Sequence, residues 1–210
     1  GAMWTLLLPL ANILIFTLVF SKIMGARLES MGMEYLGTYS YSVYLIPALL
    51  AWNAFSTTVI RVSGVFQEKA ELIRKVNVSL PTLPLYILIS ESVVYLISMA
   101  FFSLFLLLIG FQWSLHWLWL PAIFSLQLLL AYGLGLVCAI FSVFFRDINT
   151  AMPVIMQLWF WLTPIVYVIT ILPPKWLTVM QFNPFYQLVD AYRLTLIAAQ
   201  PPNIMHLGLV

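Results

Sequence analysis

Seven acidic residues, two histidines and one cysteine are all that the 210 residues offer for acid–base, metal or nucleophilic chemistry. The acids are scattered, and His116 and His206 stand alone without ligand spacing, so neither a carboxylate pair nor a metal cluster is expected. Cys138 lies inside an apolar run and reads as packing. No glycine-rich loop ending in Gly-Lys-Ser or Gly-Lys-Thr occurs, so the chain cannot hydrolyse ATP by that route. The charges that do group are Glu68, Lys69, Glu71, Arg74 and Lys75, followed later by the adjacent pair Arg146 and Asp147. That pair sits in Phe144–Asn149, wedged between apolar runs long enough to cross a bilayer. Glu91, an ionisable group inside such a run, is a functional candidate for a pathway or gate, unless it reaches water or pairs with a basic loop residue. Such an inventory fits transport and docking better than bond-making chemistry.

The elements that must position these charges follow from composition. The chain is 63% hydrophobic, 16% aromatic and 8% charged, with a mean hydropathy of +1.03. Soluble domains carry roughly a quarter charged residues, so lipid must solvate most of these side chains. The net charge of +2 is too small to point to nucleic acid. A bilayer core of about 30 Å takes roughly 20 helical residues, and unpaired backbone in lipid excludes open strands. The fold class expected is therefore an all-α polytopic bundle of about six spans, read as a single transmembrane domain over 1–210. The apolar runs are Trp4–Ser21, Tyr44–Arg61, Leu83–Gly110, Trp117–Phe145 and Pro153–Leu172, with a sixth starting near Ile204 and cut off at Val210, as in a fragment. Gly1-Ala2-Met3 reads as a tag-cleavage scar and is set aside, and the first run reads as a span and not as a signal peptide.

Arg61, Lys69, Arg74, Lys75 and Arg146 fall on one side of these runs, and Lys22, Arg27, Lys175 and Arg193 on the other. The dense basic stretch at 61–82 places the first side in the cytoplasm. Within it, Gln67–Val76 reads as a short amphipathic helix, with Leu72, Ile73 and Val76 on one face and a Glu71–Lys75 pair. It would either lie on headgroups or dock a partner. The external segment 173–202 carries a second helix, with Asn183 as N-cap, Pro184 at its first position, and an apolar face of Phe185, Leu188, Val189, Tyr192 and Leu196. Asp190 and Arg193 are spaced to pair along it; the helix is either interfacial or re-entrant, and a re-entrant backbone there would border a translocation path. Ala131, Gly135 and Ala139 permit close helix packing in the fourth run. Trp113, Trp117 and Trp119 read as an interfacial belt, and Asn77-Val78-Ser79 is a glycosylation acceptor on the wrong side to be used.

In order and spacing, several motifs resemble those of the membrane subunit of polysaccharide-type ABC exporters, which move lipid-linked O-antigen, capsule or teichoic acid chains. They are Leu72-Ile73-Arg74-Lys75-Val76, Phe145-Arg146-Asp147-Ile148, Trp161-Leu162-Thr163-Pro164-Ile165-Val166-Tyr167, Asn183-Pro184 and Tyr192-Arg193. The resemblance covers nearly the whole length; it also implies an amphipathic helix before the first span and a complete last span. It further implies a bacterial inner-membrane permease that works as two copies with two ATPase subunits, ATP and Mg2+ being bound by the ATPase and no cofactor by this chain. Coupling then falls to Glu68, Lys69, Glu71, Arg74 and Lys75, with Arg146 and Asp147 supporting that interface or anchoring the fourth span. Trp52, Phe55, Trp159, Trp161 and Tyr167 lie where the substrate path is expected, and such rings can stack on sugars while their N–H or O–H reaches a hydroxyl. Arg27, Lys175 and Arg193 are the external cations available to a lipid diphosphate. Export of drugs or lipids is the alternative within transport; a membrane glycan transferase and a passive channel are the readings from other classes.

Overall fold

The computed structural model describes residues 39–76, 79–111, 113–169, 173–203, 207–208 and 210. The first apolar run, Arg27 and most of the sixth run lie outside them. Every regular element among the described residues is helical: α1 (Ser40–Glu68), α2 (Ala70–Lys75), α3 (Leu85–Leu108), a 3-10 turn (Leu115–Trp119), α4 (Leu120–Phe144), α5 (Asp147–Leu162), α6 (Pro174–Gln181) and α7 (Pro184–Leu196). Three segments, Ser40–Glu68, Leu85–Leu108 and Leu115–Phe144, are long and apolar enough to cross a membrane, and they correspond to the second, third and fourth apolar runs.

Helix α1 is the axle of the fold, buried almost all round from Ser40 to Phe55, with α3, α4, α5 and α7 packed on it. Its widest seam is with α4, which turns Ile123, Gln127, Ala131, Gly135 and Ala139 inward at four-residue spacing. That stripe of small residues lets the two backbones approach: a Cβ at Gly135 would stand 2.7 Å from Cβ of Val62. Gln127 closes the seam from the α4 side by donating from Nε2 to the carbonyl of Ala51 at 3.1 Å. Helix α3 buries only one face, with Ile87, Glu91, Tyr95, Met99, Phe102 and Leu106. Its other faces, like those of α4, present exposed apolar side chains such as Ile89, Leu96, Phe101, Leu129 and Ile140. This inside-out pattern suits a helix whose solvent is hydrocarbon.

Three boundaries differ from those expected of the sequence. Helix α1 outruns Tyr44–Arg61 at both ends, because Val62, Val65 and Phe66 extend its packing stripe onto Ile87 and Ala139. The helix expected over Gln67–Val76 is split: Gln67 and Glu68 finish α1, Lys69 leaves helical geometry, and α2 is a separate six-residue turn. The run Pro153–Leu172 is not one helix either. α5 begins early, at Asp147, and stops at Leu162, because Pro164 disfavours helical geometry at Thr163, which is extended with ψ 134°. Sixteen helical residues rise about 24 Å, short of a full hydrocarbon core.

The seam predicts its own weak point. Gly135→Ala should destabilise the protein by about 1–3 kcal/mol, the usual cost of overpacking, and Val62→Ala should restore part of it by vacating the space. Thermal unfolding of the detergent-solubilised single and double variants checks this; additive losses would exclude a shared contact.

Candidate functional site

Beyond α5 the chain runs from Thr163 to Ile169 without a long helix, yet Thr163, Pro164, Ile165, Val166 and Val168 are buried. Buried carbonyls of irregular backbone need donors, and side chains from distant helices supply them. Arg193, on α7, donates from Nη1 to the carbonyl of Pro164 at 2.9 Å and from Nη2 to that of Ile165 at 2.8 Å. Tyr41 of α1 donates to the carbonyl of Val166 at 3.0 Å, and Tyr44, one turn on, makes a long contact of 3.5 Å to that of Tyr167. The Arg193 guanidinium lies 3.6 Å from the Tyr44 ring centroid, a cation–π contact that fixes its plane.

Asn183 ties the same segment to α7. Its Oδ1 caps α7 by accepting from the backbone N–H groups of Phe185 and Tyr186, as the Asn-Pro pair predicts. The same oxygen accepts from Nε1 of Trp159 at 3.0 Å, while Nδ2 donates to the Thr163 hydroxyl at 2.9 Å. One side chain therefore starts α7 and closes α5. The predicted apolar face of α7 is buried as expected, with Phe185, Leu188, Val189, Tyr192 and Leu196 all inward.

The five aromatic residues expected along a substrate path separate into two groups. Trp52 and Phe55 are buried in a ring cluster with Trp159, Phe160 and Phe185, with centroid distances of 4.8 Å for Trp52–Phe185 and 4.6 Å for Phe55–Phe185. Their faces are covered by one another. Trp161, two residues beyond Trp159, turns outward and is 50% exposed, and Tyr167 is half-buried, donating to the Trp161 carbonyl at 3.3 Å. Of the external cations, Lys175 on α6 is exposed. Both terminal nitrogens of Arg193 are engaged with backbone carbonyls and its face with a ring, so this guanidinium is not offered outward.

The opposite end of the molecule collects Lys69, Arg74, Lys75 and Arg146. None of the six residues of α2 is buried, and Ile73 alone packs back on the body, against the cluster of Val62, Val65 and Ile87. Glu71 and Lys75 approach to 4.0 Å but are both exposed, so the pair adds little. Glu68, Arg146 and Asp147 are exposed, and Asn149, two residues beyond Asp147, reaches Gln67 at the end of α1. Glu91 meets Arg61 of α1, a helical residue and not a loop one, in an ion pair that joins α3 to α1.

Removing the Arg193 grip should be costly. Arg193→Leu leaves two buried carbonyls without donors, at about 1–3 kcal/mol each, and Arg193→Lys should lie between Leu and wild type because one ammonium cannot reproduce the fork. Melting temperatures of the three proteins decide it; an unchanged value for Arg193→Leu would show that the contacts carry no stability.

Against known proteins, residues 1–197 match the family described as ABC-2 type transporter. An O-antigen export system permease protein, RfbA, of Klebsiella pneumoniae is 25% identical over 194 residues, covering 92% of this chain and 71% of that protein. The RfbA of Myxococcus xanthus is 23% identical over 196 residues, with the same coverage. With three helices able to cross a membrane and a family match that runs through α7, the chain belongs to the ABC-2 type transporter family of membrane proteins.

Proposed function

We propose that this chain is the membrane subunit of an ATP-driven exporter that moves a lipid-linked polysaccharide, of O-antigen, capsule or teichoic acid type, across the bacterial inner membrane. The observation that carries the energy-coupling part is α2. A six-residue helix is too short to be stable alone, and this one buries none of its residues against the rest of the chain. Its sides present Glu71, Arg74 and Lys75, with Glu68 and Lys69 just before it and Arg146 and Asp147 nearby. A charged helix held to the body by Ile73 alone fits a cleft on a separate ATPase subunit, which binds ATP and Mg2+ and hydrolyses the nucleotide. Two copies of this chain then enclose the path between them.

The substrate part rests on the names of the relatives and on the aromatic residues that remain open. Trp161 and Tyr167 stand at the broken end of α5, where their rings can stack on sugar faces, while Trp52, Phe55 and Trp159 back them from inside. Lys175, and Arg27 outside the described residues, are the cations for a lipid diphosphate on the outer side.

The test is co-purification of the full-length chain with the ATPase encoded beside it. Glu71→Ala combined with Arg74→Ala should weaken association by about tenfold or more, equivalent to about 1.4 kcal/mol, or leave a complex whose hydrolysis no longer responds to substrate. Proteoliposomes carrying the wild-type complex should export a fluorescent lipid-linked glycan and not a hydrophobic drug. Export of the drug alone would replace the polysaccharide reading, and absence of any associated ATPase would end the coupling reading.

A further inference from the structure

Gln67 occupies the last turn of α1, immediately before the chain departs into α2, and its amide bridges three helices. Nε2 donates to the carbonyl of Ser142 in the last turn of α4. Oε1 accepts from Nδ2 of Asn149, in the first turn of α5, at 2.8 Å. Both partners answer a local need: the Ser142 carbonyl lies in the last turn of α4, where intrahelical donors run out, and the Asn149 side-chain amide makes no other hydrogen bond among the described residues, its Oδ1 being buried without a partner. A second tie, from the Ser142 hydroxyl to the Ser63 carbonyl at 3.0 Å, holds α4 to α1 but does not reach α5. Gly64 lies beside this junction: a Cβ there would make ordinary contact, 3.4 Å from Glu68 Oε1 and 3.8 Å from Asn149 Nδ2.

Between α4 and α5 the chain bends at Phe145, which is extended at φ −123° and ψ 95°. α5 can therefore tilt against α4 at its first turn, where Gln67 holds it. Together these contacts join the end of α1, where α2 begins, to the first turn of α5 through a single side chain, without passing through the body of α4. At its far end α5 leads to Trp159, Trp161 and the Asn183 junction.

We propose that Gln67 is a positioning residue for transport, relaying movement of α2 to α5 through Asn149. The proposal rests on the ATPase-coupled reading above. The experiment uses the full-length chain in its complex with the ATPase, with Cys138→Ala as background. A nitroxide replaces either Leu72 of α2 or Leu158 of α5, both exposed, and the distance between the labels of the two copies is measured without nucleotide and after trapping with ATP, Mg2+ and vanadate. In the otherwise wild-type complex both distances should shift on trapping. In Gln67→Leu the Leu72 shift and ATP hydrolysis should persist while the Leu158 shift is lost, and Asn149→Ala should reproduce that loss by removing the α5 limb alone. Gln67→Glu, which keeps an acceptor for Asn149 but no donor for Ser142, should retain it. Persistence of the Leu158 shift in Gln67→Leu or Asn149→Ala overturns the relay, as does loss of the Leu72 shift together with it. If Gln67→Leu does not assemble, Asn149→Ala decides alone. Failure of the wild-type chain to bind any ATPase would appear before any variant is made, and would count against the coupling reading instead.

Discussion

The grip of Arg193 on the carbonyls of Pro164 and Ile165 is the constraint around which one half of this molecule, where α5 breaks off, is arranged. A chain that leaves helical geometry in an apolar interior exposes polar backbone that water cannot reach. A guanidinium answers two carbonyls at once because its donors are fixed in one plane, and the Tyr44 ring sets that plane. Burying Arg193 requires α7 to lie against α1, and the apolar face from Phe185 to Leu196 provides the packing that holds it there. The Asn183 cap then sets where α7 starts, within reach of both Thr163 and Trp159.

The two ends of the molecule share one rigid member. Tyr41 and Tyr44 hold the broken segment near the start of α1, and Gln67 holds α4 and α5 near its finish, some 23 residues or about 35 Å further along the same helix. Packed on the small-residue stripe of α4, α1 cannot move independently of that helix over its middle turns. α5 is tied at both ends to its neighbours and held between on one face alone, Met152 and Met156 being buried while Val154, Ile155 and Leu158 are exposed. The arrangement sets a firm α1–α4 pair against a short α5 that can tilt.

Much of this was legible in the residues themselves. Hydropathy alone located three of the membrane-capable helices, the Asn-Pro pair announced the start of α7, and Ala131, Gly135 and Ala139 marked the tightest seam. The break in α5 had a signal too, since Pro164 restricts the residue before it, but a continuous apolar run masked it. What could not be read is the pairing across distance. Arg193 was spaced to meet Asp190 along its own helix, yet its terminal nitrogens reach carbonyls 28 and 29 residues away, and a carbonyl acceptor leaves no trace in side-chain identity. Gln67 likewise looked like one polar residue of a surface helix. Its importance comes from tertiary packing that brings the ends of α4 and α5 to it. Trp159 and Trp161, two apart on one helix, point to different sides, and only the fold shows that Trp159 is the one packed inward.

The contacts made by Arg193, Tyr41 and Tyr44 to residues 164–167 all end on main-chain oxygens. Attachment of residues 164–167 through these three side chains is therefore blind to which side chains they carry, within the apolar limit that burial sets at Ile165 and Val166. A position such as Tyr167 can exchange its side chain at the cost of its own contact to the Trp161 carbonyl while these three anchors remain. Divergence among relatives can then accumulate at such a position without each change having to rebuild the anchorage, so surface chemistry and architecture are free to evolve on separate residues.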